Sequence, residues 1–166
     1  MDEIKTNRFT TQLTHNYMEL RVFPDSVLRE VAQPVYTFDL ALQRFANHMF
    51  AFMKEHRGIG LAAPQVGVLH RIIVVASEDI AECLVNPEIL ASSTDYHQEE
   101  EGCLSLPEQW FDVDRYLKVE VRARSPEGRK LQFEASDWNA RVLQHEIDHL
   151  NGILICDRGV EINMTI

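Results

Sequence analysis

The chain has 166 residues, enough for one domain with its own core, and no apolar run in it nears the roughly 20 residues needed to span a bilayer. Its 26 Asp and Glu outnumber 16 Lys and Arg, and a net charge of -10 weighs against non-specific binding to nucleic acid or to an anionic membrane surface. Cys83, Cys103 and Cys156 form no disulfide framework and the N-terminus lacks an apolar secretory core, so a reducing, cytoplasmic setting is expected. Lys5 and Arg8, beside Asp2 and Glu3, are a poor match to an Arg-rich transit peptide and leave an organelle open.

Residues 1–19 show no periodicity and are expected to lie loosely on the surface, with a single catalytic domain over 20–158 and a short tail over 159–166. Pro24-Asp25-Ser26 offers a turn and an N-cap for a short helix through Val27, Leu28 and Val31, ended by Gln33-Pro34. Leu42, Phe45, Ala46, Met49, Phe50 and Met53 recur at three and four residues, which predicts a long helix from Thr37 or Asp39 to about Arg57 with one buried face. A glycine-rich segment follows, Gly58-Ile59-Gly60-Leu61-Ala62-Ala63-Pro64-Gln65, which reads either as a turn between helix and strand or as a loop that lets a ligand approach the backbone closely, with Gln65 presenting an amide donor and a carbonyl. Arg71–Ser77 is β-branched and reads as a buried strand, and Cys83–Leu90 as another with a turn or bulge at Asn86-Pro87. Ser92–Glu101 reads as loop or edge, with Glu99, Glu100 and Glu101 as a solvated face. Residues 111–124 alternate like one strand, Pro126-Glu127-Gly128 turns, and Lys130–Ala135 returns. Ile153–Ile166 is expected to give one short strand and a tail. The order predicts an α+β domain of mainly antiparallel sheets packed around one helix.

That helix begins at a cap on Ser136 or Asp137, closes at Gly152, and carries Gln144-His145-Glu146-Ile147-Asp148-His149. At 3.6 residues per turn His145 and His149 share one face and can reach one metal ion, while Glu146 can lie beside a water activated there and move its proton. Ala140, Val142, Leu143, Ile147 and Leu150 form an apolar stripe that buries the helix. A third ligand is offered by Cys103 within Glu101-Gly102-Cys103-Leu104-Ser105-Leu106-Pro107. A thiolate with two imidazoles leaves a fourth position open, as catalytic sites do, and suits Fe(II), Zn, Co or Ni over Mg or Ca. Cys156 competes for this role, but a strand starting after Gly152 would carry it away from the helix face.

Residues 58–65, 101–105 and 144–149 together resemble the three signatures of the peptide deformylases, and the similarity runs from about Val22 to Arg158. The resemblance implies removal of the formyl group from N-terminal formylmethionine of new polypeptides, with release of formate. It implies formyl-Met polypeptide N-termini as partners, transient proximity to the ribosome, and Fe(II) as the usual metal, with Zn, Ni or Co able to replace it. It assigns Cys103, His145 and His149 as metal ligands, Glu146 as general acid and base, and the Gln65 side chain and Leu104 backbone N–H as donors to the oxyanion. Ile59, Gly60, Trp138 and Val142 would border the methionine pocket, and Asp148 would have a supporting role at most.

The chain departs from that pattern at Trp110, where some relatives carry Arg, at Asp114, and at Asp137-Trp138, where glycine and a smaller apolar residue are frequent. Two other readings lack ligands. A metzincin needs a third histidine where Ile155 stands, and a thermolysin-like enzyme needs a downstream carboxylate with only Asp157 and Glu161 to supply it. A structural zinc domain would need Cys156 to turn back to the site.

Overall fold

A computed structural model describes residues 18–77 and 80–162, and the expectations for residues 1–17 and 163–166 lie outside them. Met18, within the stretch expected to be loose, packs with Leu20 against the core. A 3-10 turn at Ser26–Arg29 is capped by the Asp25 carboxylate, which accepts from Val27 N at 3.0 Å; it buries Leu28 and leaves Val31 outside, so this turn is shorter than predicted.

Helix α1 spans Leu40–Glu55, with Asp39 as N-cap accepting from Leu42 N, and buries Leu42, Phe45, Ala46, Met49 and Met53. It ends in a Schellman turn in which Gly58 N donates to Met53 O and Arg57 N to Lys54 O. The glycine-rich segment is more ordered than a turn. Gly60–Ala62 is strand β1, antiparallel to β2 (Ile72–Ala76), and Ala63–Val66 is a 3-10 turn.

The five-stranded sheet runs β1, β2, β3 (Ala81–Ser92), β6 (Lys118–Arg124), β7 (Lys130–Ser136), all pairs antiparallel. Residue alternation along β2 explains why it is apolar throughout. Ile72 and Val74 pack with the stripe of α1, whereas Ile73 and Val75 pack with Leu143, Ile147 and Leu150 of helix α2 (Asp137–Leu150). The sheet is thus a layer between two helices. Asn86, with φ 51°, bulges β3 without ending it, and its amide pairs with both backbone groups of Val35.

The three-stranded sheet runs β4 (Tyr96–Cys103), β5 (Leu106–Tyr116), β8 (Val160–Glu161). One expectation holds here in part and another changes. Within Ser92–Glu101, expected as loop or edge, the edge reading holds from Tyr96 on, where the chain enters edge strand β4; and 111–124 is not one strand but two that meet at Leu117 and belong to different sheets. The Gln144 side chain holds the crossing: its Oε1 accepts from Tyr116 N at 3.0 Å and its Nε2 donates to Tyr116 O at 2.9 Å.

After α2, Gly152 takes φ 70° in a second Schellman turn, with Ile153 N donating to Asp148 O. The chain then forms a one-turn helix, α3 (Ile155–Arg158), and not the expected strand, because Leu154 and Ile155 turn inward onto Leu28, Leu106 and Val113. No helix among the described residues is long and apolar enough to cross a membrane.

Candidate metal centre and active site

Helix α2 passes between the two sheets, and the edge strands β1 and β4 open onto one cavity of about 510 Å³. Of the residues predicted for the site, Ile59, Gly60, Gln65, Cys103, Leu104, Trp138, Val142, His145 and Glu146 line this cavity. His149 lies beneath it, with its Nε2 3.3 Å from Cys103 Sγ and 3.2 Å from His145 Nε2. Cys156 is elsewhere, with its sulfur near Arg29, and Cys83 is half-buried against the α1 core, where desolvation pushes its thiol up to about 12.

One ligating atom from each of Cys103, His145 and His149 lies within 4.8 Å of the others. With metal–nitrogen bonds near 2.0 Å and a metal–sulfur bond near 2.3 Å, a tetrahedral shell needs N···N of about 3.3 Å and N···S of about 3.6 Å. The observed separations fit that shell. Two imidazole nitrogens facing each other beside a sulfur have lone pairs converging on one point, a donor set for a borderline-soft cation.

The orientation of His145 is set from behind. Its Nδ1 donates to Glu101 Oε2 at 2.9 Å, so that in the neutral imidazole Nε2 is the nitrogen left to face the cluster. Glu101 is 5% exposed, contrary to the solvated face expected for it. It accepts from Arg115 Nε at 2.9 Å and Nη2 at 3.0 Å, and from Arg141 Nη1 at 2.8 Å. Burial alone would raise its carboxyl, but the bonds from His145 and Arg115 prevail and hold it at about 2. Arg115 also reaches Asp148, whose other donors are Arg158 Nε at 3.0 Å and Nη2 at 2.7 Å. Asp148 therefore faces away from the cluster and ties α2 to β5 and α3.

Glu146 is the opposite kind of carboxylate. It is 4% exposed and its Oε2 has no hydrogen-bond partner among the described residues. Burial raises it to about 7; His145 and Arg115 oppose the shift and Glu101 adds to it. Its carboxylate packs on Gly60, where a Cβ would stand 2.8 Å from Glu146 Cδ. Gly60 is needed for space and not for a special φ.

Gln65 is 2% exposed and its amide has one orientation available: Oε1 accepts from Ala62 N at 2.8 Å, which turns Nε2 toward Ser105 Oγ at 3.1 Å and Cys103 Sγ at 3.6 Å. The arrangement brings a Cys/His/His cluster that could hold a metal, a buried carboxylate raised to about 7 and an aimed amide donor to one pocket, the set of parts a mononuclear metallohydrolase requires. The comparisons narrow the class. The family model for polypeptide deformylase matches residues 17–164, so the chain belongs to the polypeptide deformylase family. The peptide deformylase of Thermotoga neapolitana is 45% identical over 139 residues, covering 84% of this chain and 85% of that protein. That of Hahella chejuensis is 46% identical over 143 residues, with 84% and 85% covered. Among solved structures, the crystal structure of the Thermotoga maritima peptide deformylase superposes with a TM-score of 0.85 at 40% identity, covering 88% of this chain and 99% of that one. A peptide deformylase from Synechococcus elongatus, in complex with actinonin, gives 0.83 at 40% identity, with 86% and 79% covered.

Proposed function

We propose that this chain removes the formyl group from N-terminal formylmethionine of new polypeptides as they leave the ribosome in the cytoplasm, releasing formate. Cys103, His145 and His149 hold one divalent metal ion, Fe(II) in the cell, with Zn, Ni or Co able to replace it. Membership of a family of metal-dependent deformylases supports the reaction. The observation that carries the assignment of roles is the buried Glu146 carboxylate on Gly60, next to the Cys/His/His cluster.

The metal, when bound, supplies Lewis acidity and activates water near neutral pH. Glu146 accepts a proton at its carboxylate and later returns it to the amine that leaves, a task suited to a group whose pKa lies near the working pH. Gln65 Nε2, held by the Ala62 bond, and the backbone N–H of Leu104 donate to charge developing on the formyl oxygen. Ile59, Gly60, Val142 and Trp138 form the wall of an apolar pocket that takes the flexible thioether side chain.

The test is formate release from formyl-Met-Ala-Ser by protein prepared anaerobically with Fe(II) or with Ni. Turnover by the loaded protein supports the reading; none with a full complement of metal overturns it. Cys103→Ser is expected to lose metal and Cys83→Ser to keep it, and equal metal content in the two would overturn the choice of thiolate.

A further inference from the structure

Four non-glycine residues among those described adopt the left-handed backbone region: Arg57, Asn86, Glu108 and Asp137. Asn86 is the bulge in β3, where an amide side chain tolerates and uses that conformation. The other three surround the mouth of the catalytic cavity. Arg57 and Glu108 line it directly, and Asp137 precedes Trp138, which lines it as well. Each position would be easier for glycine. Arg57 even occupies the residue of a Schellman turn where glycine is usual, with Gly58 one place later. Strained backbone that persists around a pocket points to the side chains it presents.

Those side chains share a chemistry. Trp110 and Trp138 are 40% and 46% exposed, large indoles at the cavity mouth. Trp110 pairs across the strands with Gly102, and a Cβ on that glycine would stand 3.2 Å from its ring, so the indole packs onto the bare Gly102 backbone of β4, next to Cys103. Glu100 and Glu108 are exposed on the same rim, and neither takes part in an ion pair among the described residues; Arg57 is the one opposing cation with the same freedom. The deeper charges, Glu101 and Arg141, are already satisfied by each other and by Arg115.

We infer that Glu108, Glu100, Trp110 and Trp138 form a specificity rim that selects substrates with a basic side chain immediately after the formylated residue. Indole faces attract cations, and two carboxylates against one guanidinium leave the rim negative. The inference rests on the deformylase reading, since it concerns chain positions beyond the first residue of that substrate.

The experiment compares kcat/KM for formyl-Met-Lys-Ser, formyl-Met-Ala-Ser and formyl-Met-Glu-Ser with metal-loaded protein at low and high salt. A Lys over Glu preference of about tenfold is expected, falling as salt screens the rim. Glu108→Gly, together with Glu100→Gln, is expected to shrink that ratio to about twofold, and Glu108→Gly should melt no lower than the parent, because it relieves the positive φ. Glu108→Gln serves as a control that keeps the side chain length. Trp138→Ala is expected to lower the Lys rate relative to the Ala rate. Equal rates for Lys and Glu peptides, a preference for Glu, or a ratio unchanged in the doubly substituted rim would each overturn the inference while leaving the deformylase reading intact. Absence of formate from all three peptides would instead overturn the deformylase reading, and the rim inference with it.

Discussion

Two glutamates bound the same histidine, and their surroundings treat them in opposite ways. Behind His145, Glu101 accepts four hydrogen bonds from two arginines and the imidazole, and its carboxyl is held at about 2. On the cavity side, Glu146 rests on the bare backbone of Gly60 with one oxygen unpartnered, and its carboxyl rises to about 7. Both are buried, so burial does not decide the outcome. The number of donors does: a carboxylate surrounded by fixed positive groups is an anchor, and one denied them is available to exchange a proton.

Substitutions can break this contrast. Glu146→Gln keeps shape but cannot take a proton, and is expected to cut turnover by roughly a thousandfold with metal content unchanged, measured by formate release and metal analysis. Gly60→Ala places a methyl group against the Glu146 carboxylate and should shift it from its position. A loss on the order of a hundredfold in kcat is expected, with metal retained; near-normal kcat would show that Glu146 has room to move. Glu101→Gln removes the charge behind His145, and metal affinity should fall about ten- to a hundredfold by competition with a chelator, with a smaller effect on kcat in the loaded enzyme.

A further effect is in the pH dependence of stability. The Glu101 carboxyl is near 2 when folded and near 4.5 when unfolded, so its contribution is complete above about 5 and lost as pH falls from 5 to 2. In the metal-free protein this amounts to about 3 kcal/mol, and Glu101→Gln should flatten the acid limb of a denaturation profile between those limits.

The same two glutamates show what can be read from sequence. Glu146 lies between two histidines, His145 and His149, spaced one helical turn apart, so its place follows from helix periodicity. Cys103 is marked by the glycine before it and the proline after Leu106. Glu101 is hidden in a run of three glutamates whose other two members are exposed on β4. Its burial depends on Arg115 and Arg141, 14 and 40 residues away, which look like ordinary strand and helix cations until the sheets and α2 meet. The break at Leu117 is hidden for a similar reason, since alternation continues through a residue where the chain changes sheets. The apolar run Ile153, Leu154 and Ile155 reads as a strand that carries Cys156 away from the site, yet docking onto Leu28 makes that stretch a helical turn.

The spacing of the three residues of the candidate metal cluster has a consequence for the chain as a polymer. Cys103 and His149 are 46 positions apart, and β5, β6, β7 and most of α2 lie between them. An ion held by both would bridge that length only in the folded protein, and because the ligand set is assembled by folding, its binding free energy would add to the folding free energy. Unlike a disulfide, this cross-link can be withdrawn by a chelator or lost when the thiolate is oxidised.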